Sequence, residues 1–377
     1  MLDLIAALAL VTTQAADDVP DAFARHEASQ PASGQRIDYE TFTGLLRDIV
    51  LDVGLSDREA PPRVILTGTR INTANTSRYQ FEGNRVAFHL LSDEYEAAIT
   101  EYRRDLESLP DRIEFDRLSS DEQLAYWLNL HNVAVIEQIM LSYPVTRTNR
   151  LEAFGTDEPL LDADILTVAG VPLSLNDIRL RIVYSQWNDP RVMYGFFNGA
   201  IGGPNIRRTA YTGSDVWRQL DSNAAEFVNS LRGVEADRNE LKISSMYAEG
   251  RDYFFPNWPN DVRSHLADYA TDLAADEVAA GGPVDASVEE WGVADLINGS
   301  RRCTGGSGDL NLLSYSGDYV RTGTPCAAMP ANARILINHV IERRLELIRN
   351  GAYGRVYVRD VPTVDPDEVN NAEAGED

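Results

Sequence analysis

The chain has a single lysine, Lys242, among 34 basic residues. Schiff-base chemistry and lysine-dependent phosphate loops therefore have almost no raw material. Cysteine is nearly as scarce, with only Cys303 and Cys326. His26, His89, His131, His265 and His339 are scattered and show no H-x-x-x-H spacing, so no metal site is read from the sequence and no cofactor is implied. Positive charge is in short supply throughout. A formal charge of −25 with no local basic stripe argues against a nucleic-acid partner, because a phosphate backbone would be repelled. Long hydrophobic runs are missing too. The apolar stretch at 4–11 is too short to span a membrane.

That stretch, followed by small residues at Thr13 and Ala15, reads as a signal peptide over 1–16, although the segment before it carries Asp3 and no basic residue. The alternative is an N-terminal helix packed on the domain. Export implies a periplasmic or secreted protein, and in that setting Cys303 and Cys326 read as a disulfide, against the alternative of two unrelated thiols. A polar, proline-containing linker is expected at 17–36, one α/β domain at 37–275 and a C-terminal extension at 276–360, where Gly, Ser and acidic residues become frequent. The tail 361–377 is expected to be disordered.

Among the residues that are present, 44% are hydrophobic, enough for a sizeable core. The clearest element is SSDEQLAYWLNLHNVAVIEQIMLSYPV. Ser119 and Glu122 form a capping box, Pro144 marks the end, and the apolar residues between leave few solvent-facing positions. This helix should run through the core, with Trp127 deeply buried. Asn129 and Asn132, three apart, share one face as loop clamps or as pocket lining, and His131 points elsewhere. Helices are expected near 39–53, 93–109, 213–229, 261–274 and 331–349. A hairpin turns at Ala169 and Gly170 and leads to a helix from Ser174, RVMYGFF is expected as a buried strand, and ELKISSMY as another strand.

The stretch YGFFNGAIGGPNIRR has the glycine and proline content of an active-site loop. From Tyr194 to Pro204 it contains no Ser, Cys, His, Asp, Glu or Lys. Elsewhere, CTGGSGDLN lacks both the nucleophile elbow and the phosphate-loop pattern, and the paired acids Asp162 and Asp164 or Glu289 and Glu290 read as solvated charges.

In order and spacing, DEQLAYWLNLHN, YPV, TVAGVPLSLNDI, DPRV and GAIGGPNIRRTAYTG resemble the family catalogued as domain of unknown function 547. The resemblance covers 39–269 and is strongest over 119–233. It implies a mixed α/β (α+β) fold, a central buried helix packed on a small sheet, that has been likened to papain-type cysteine peptidases. The family pattern places Glu-His after L-N-D-I, a His two residues after D-P-R, and cysteines in a C-A-S-x-G-C-P loop. Here those positions hold Arg179 and Leu180, Met193, and Asn198 and Gly203, with Ala200 in place of the serine. Neither a thiolate nor its activating base is present, so the resemblance implies a retained site without its reactive groups.

Asn129, Asn132 and Asn198 could converge on that site, with Arg191, Arg207 and Arg208 holding an anionic ligand by paired hydrogen bonds. The alternative pairs Arg191 with Asp189 and leaves the other two arginines solvated. The expectation is an exported binding or scaffolding domain acting on an envelope peptide, glycan or protein. The competing reading is a hydrolase or acyl transferase with a rearranged site, for which Asn132, His131, Glu137 and Asp177 are the available groups. Convergence of His131 with an acid and a hydroxyl in one pocket would favour the enzyme.

Overall fold

The computed structural model describes residues 34–61, 77–299 and 331–350, without the side chains of 331 and 332. The leader, nearly all of the linker, Cys303, Cys326 and the acidic tail lie outside these residues. The chain divides into two units, Met1–Leu336 and Ile337–Asp377.

Helix α1, Glu40–Ile49, buries Phe42, Leu46 and Ile49, and ends in β1, Val50–Leu51, which pairs antiparallel with β2, Arg85–Val86. Helix α2, Asp93–Glu107, opens with Asp93, Glu94 and Glu96, where the helix dipole favours negative charge. Helix α3, Ser120–Leu141, is the expected central helix, and its residues from Glu122 to Met140 are all buried. Trp127 is fully enclosed and packs edge-on against Tyr126 and Phe115.

Only half of the expected capping box forms. Ser119 Oγ accepts from Glu122 N at 3.2 Å, while the Glu122 carboxylate accepts from Ile37 N at 3.3 Å instead of returning to the cap. The carboxylate thus ties the incoming chain to the start of α3. A helix buried on all sides must also satisfy its polar residues, and here several of them secure neighbouring segments. Gln123 donates to Leu118 O and Gln138 accepts from Phe154 N, while Glu137 pairs with Arg103.

Strands β3, Leu166–Val168, and β4, Val171–Leu173, form the expected hairpin, with positive φ at Ala169 and Gly170. Ser174 and Asp177 then cap each other: Ser174 N and Oγ donate to the Asp177 carboxylate, and Asp177 N donates to Ser174 Oγ. The following segment, Asp177–Tyr184, is π-helical.

RVMYGFF is buried as expected but is not a strand. Pro190–Gly195 is a 3₁₀ helix, because Asp189 accepts from Arg191 N at 2.9 Å as the cap and Pro190 presets the first helical φ. Helix α4, Val216–Val228, packs on this segment.

Strands β5, Val234–Asp237, and β6, Glu240–Ser244, are antiparallel, and β7, Val284–Val288, adds parallel to β6. A parallel pair needs a crossover, supplied here by α5, Asn260–Tyr269, and α6, Asp272–Ala279. The single helix expected over 261–274 is interrupted where Asn229 Oδ1 accepts from both Thr271 N and Thr271 Oγ1.

Residues 284–298, assigned from the sequence to a C-terminal extension, are built into this same unit. Ala294 N bonds Gly199 O at 2.7 Å, Val86 N bonds Ala294 O at 2.8 Å, and Thr148 N bonds Trp291 O at 2.9 Å. Asp295 is completely buried and accepts from Tyr143 Oη, Ile297 N and Gly299 N. Helix α7, Ala331–Arg349, closes the described chain. The fold is mixed α+β, with three small sheets among the described residues.

Candidate functional site

The glycine-rich loop is held from both ends. At its entry, Asn132 Nδ2 donates to Gly195 O at 2.9 Å and Asn132 Oδ1 accepts from Phe197 N at 3.0 Å, so one buried amide fixes the backbone leading into it. At its exit, Arg232, with no exposed surface, donates from Nε to Gly203 O at 3.2 Å and pairs with Glu226 at 2.6 Å. Between these anchors Ile201 N bonds Gly292 O and Gly202 N bonds Glu290 O. Two glycines are dictated by this packing. Gly199 has φ +77°, and a Cβ there would lie 2.4 Å from Ile139 Cδ1; a Cβ on Gly203 would lie 2.1 Å from Asn198 Oδ1.

A small cleft of about 40 Å³ opens beside this loop. Arg179, Met193, Asn198 and Gly203 line it, so four of the five positions where the resemblance expects reactive groups meet in one place. The fifth, Leu180, packs partly buried against the core. His131, Ser244, Ser245 and Glu249 also line the cleft, as do Glu289, Glu290 and Trp291.

The electrostatics follow from burial and pairing. Arg179 donates to Glu249 at 2.6 Å and to Asn176 Oδ1 at 2.9 Å. Burial opposes its charge, but Tyr184 and Glu249 outweigh that and hold its pKa above the ordinary guanidinium value. His131 is 1% exposed, and burial pushes its pKa down to about 3 against the opposing bond to Asn132, so the imidazole is neutral near pH 7. Its Nδ1 lies 3.2 Å from Asn132 Oδ1. Asn198 turns its Oδ1 back to Ala200 N at 3.0 Å.

The remaining sequence candidates sit elsewhere. Asn129 donates to Tyr211 O and accepts from Tyr211 N, a clamp on the segment before α4. Arg191 forks onto Asp189, reaches Asp221 at 3.2 Å and stacks over Trp217 at 4.6 Å. Arg207 donates to Gln219 O and Asn223 Oδ1, and Arg208 to Arg47 O. None of these four lines the cleft. Glu137 is paired with Arg103 and Asp177 serves as a cap.

Sequence reasoning missed the wall opposite the loop. His131, expected to point away, lines the cleft, and so do Glu289 and Glu290, of which Glu289 is exposed and Glu290 half-buried, as charges read as solvated should be. The Glu289–Glu290 wall is placed by the parallel pairing of β7 with β6, a contact between segments about forty residues apart that leaves no local signature.

A mixed α+β domain organised round one buried helix, with a cleft between its glycine loop and the end of β7, is the class these features define. Residues 115–228, running from just before α3 to the end of α4, match the family model described as "Protein of unknown function, DUF547". No curated protein and no solved structure matches the chain. Among the described residues no helix is long and apolar enough to cross a membrane.

Proposed function

We propose that this chain is an exported, non-catalytic binding or scaffolding module whose cleft beside Asn198 takes a small polar group presented by an envelope peptide, glycan or protein. One observation carries the reading. The positions where the family resemblance expects Glu, His and Cys come together in a cleft but hold Arg179, Met193, Asn198 and Gly203. An asparagine amide donates and accepts hydrogen bonds but is neither a nucleophile nor a general base near neutral pH. The leader at 1–16 supports export from sequence alone.

A second reading, a hydrolase or acyl transferase with a rearranged site, draws on the presence of His131, Ser244, Ser245 and Glu249 in the same cleft. Against it stands the depressed basicity of His131, since efficient general bases have pKa values near the working pH. The separating experiment uses immobilised full-length protein and a synthetic peptide library. Capture without new termini supports the module. Cleaved or transferred products that vanish in Ser245→Ala or His131→Gln would replace it with the enzyme.

A further inference from the structure

We propose that the cleft binds a primary ammonium group, the head of a lysine side chain or a free amine, with His131 Nε2 as its hydrogen-bond acceptor. The inference rests on the binding-module reading above and supplies its ligand class.

The first support is the tautomer of His131. Asn132 Nδ2 donates to Gly195 O, so the atom facing His131 is the amide oxygen, which also accepts from Phe197 N. An oxygen accepts only, so the hydrogen sits on His131 Nδ1, and Nε2 keeps a lone pair. His131 makes no other hydrogen bond, its side chain is almost wholly buried, and it lines the cleft. An acceptor at the cleft with no protein donor is free to take one from outside. The Arg179 guanidinium, a donor on the same lining, is engaged with Glu249 and Asn176.

The second support is charge. Glu249, Glu289 and Glu290 line the cleft against one cation, Arg179, which Glu249 already matches at 2.6 Å. The wall formed by Glu289 and Glu290 is therefore uncompensated within the cleft, and a chain of net charge −25 adds a field of the same sign. Trp291 Nε1 donates to Glu289 Oε2 at 3.0 Å, which sets an indole beside a carboxylate, the pairing that suits an ammonium.

The test is a titration of full-length protein, ¹⁵N-labelled at histidine, with Nα-acetyl-lysine methylamide. The norleucine and glutamate analogues serve as comparisons. The lysine probe should move the His131 Nε2 resonance in the direction of hydrogen-bond acceptance, and norleucine should not. Glu249→Gln and Glu289→Gln lie on the exposed rim and should each weaken the lysine response about threefold, as expected for single partly screened charges. Equal movement by norleucine, or none by lysine, would overturn the proposal. Preference for the glutamate analogue would overturn the ligand class while leaving the module standing. Hydrolysis of any probe would overturn both.

Discussion

Replacing Gly203 by alanine tests the loop geometry most sharply. Gly203 is not among the residues with positive φ, so alanine meets no backbone penalty there. The whole cost comes from Asn198, whose Oδ1, Cγ and Nδ2 would lie 2.1, 2.6 and 2.8 Å from the new Cβ. Asn198 must rotate away and give up its bond to Ala200 N, so Gly203→Ala should destabilise the protein by about 1 to 3 kcal/mol. Asn198→Ala alone should cost about 1 kcal/mol, the typical net worth of one hydrogen bond. In the double variant the clash is gone and the bond is already lost, so the two effects should fall short of additivity by about 1 kcal/mol or more. Urea unfolding of the four proteins at a common m-value reads this directly. Additivity within about 0.5 kcal/mol would refute the contact and the loop conformation built on it.

Trp127→Ala should cost about 3 to 5 kcal/mol by chemical denaturation, since the side chain is fully enclosed; a change within experimental noise would place α3 at the surface. Stability should also fall on acidification. His131 and His265 are held by burial at about 3 and about 4, below the unfolded value of about 6.5, so their contribution is complete above pH 6.5 and is lost as pH falls toward the folded values. Each adds a slope approaching about 1.4 kcal/mol per pH unit between pH 6 and 5, against which the raised carboxyls of Glu107, Glu122 and Glu226 act in the opposite sense above their unfolded value of about 4.3. Unfolding curves at pH 7.5, 6 and 5 measure it, and His265→Phe should lose less stability on acidification than the unmodified protein; an identical pH profile in the variant contradicts the burial argument. Finally, thiol titration of unfolded, unreduced protein from an oxidising compartment should find Cys303 and Cys326 paired, and two titratable thiols would exclude the disulfide.

What the sequence disclosed well was whatever local chemistry encodes. Ser119 and the unbroken apolar content of α3 announced a buried helix, and the Ala169–Gly170 turn announced the hairpin. RVMYGFF misled because a short apolar run fits a buried strand or a buried helical turn equally well, while Asp189–Pro190, the signal that decides it, lies just outside the run. The cleft was half legible. Its loop side is marked by the family motifs, but its acidic wall depends on β7 pairing with β6 and on Glu249 meeting Arg179 seventy residues away. The structure also weakens one argument from the sequence. The glycine content of the loop follows from its close packing on α3 and on Asn198, so its retention is no evidence of a ligand by itself.

The central claim, a cleft that binds without turnover, is tested most directly by incubating the full-length protein with a synthetic peptide library and analysing both retained and released peptides by mass spectrometry. The account predicts enrichment of lysine-bearing peptides on the protein, with every peptide recovered intact. Peptides recovered with new termini or acyl adducts, formed by the unmodified protein and absent with His131→Gln, would contradict it.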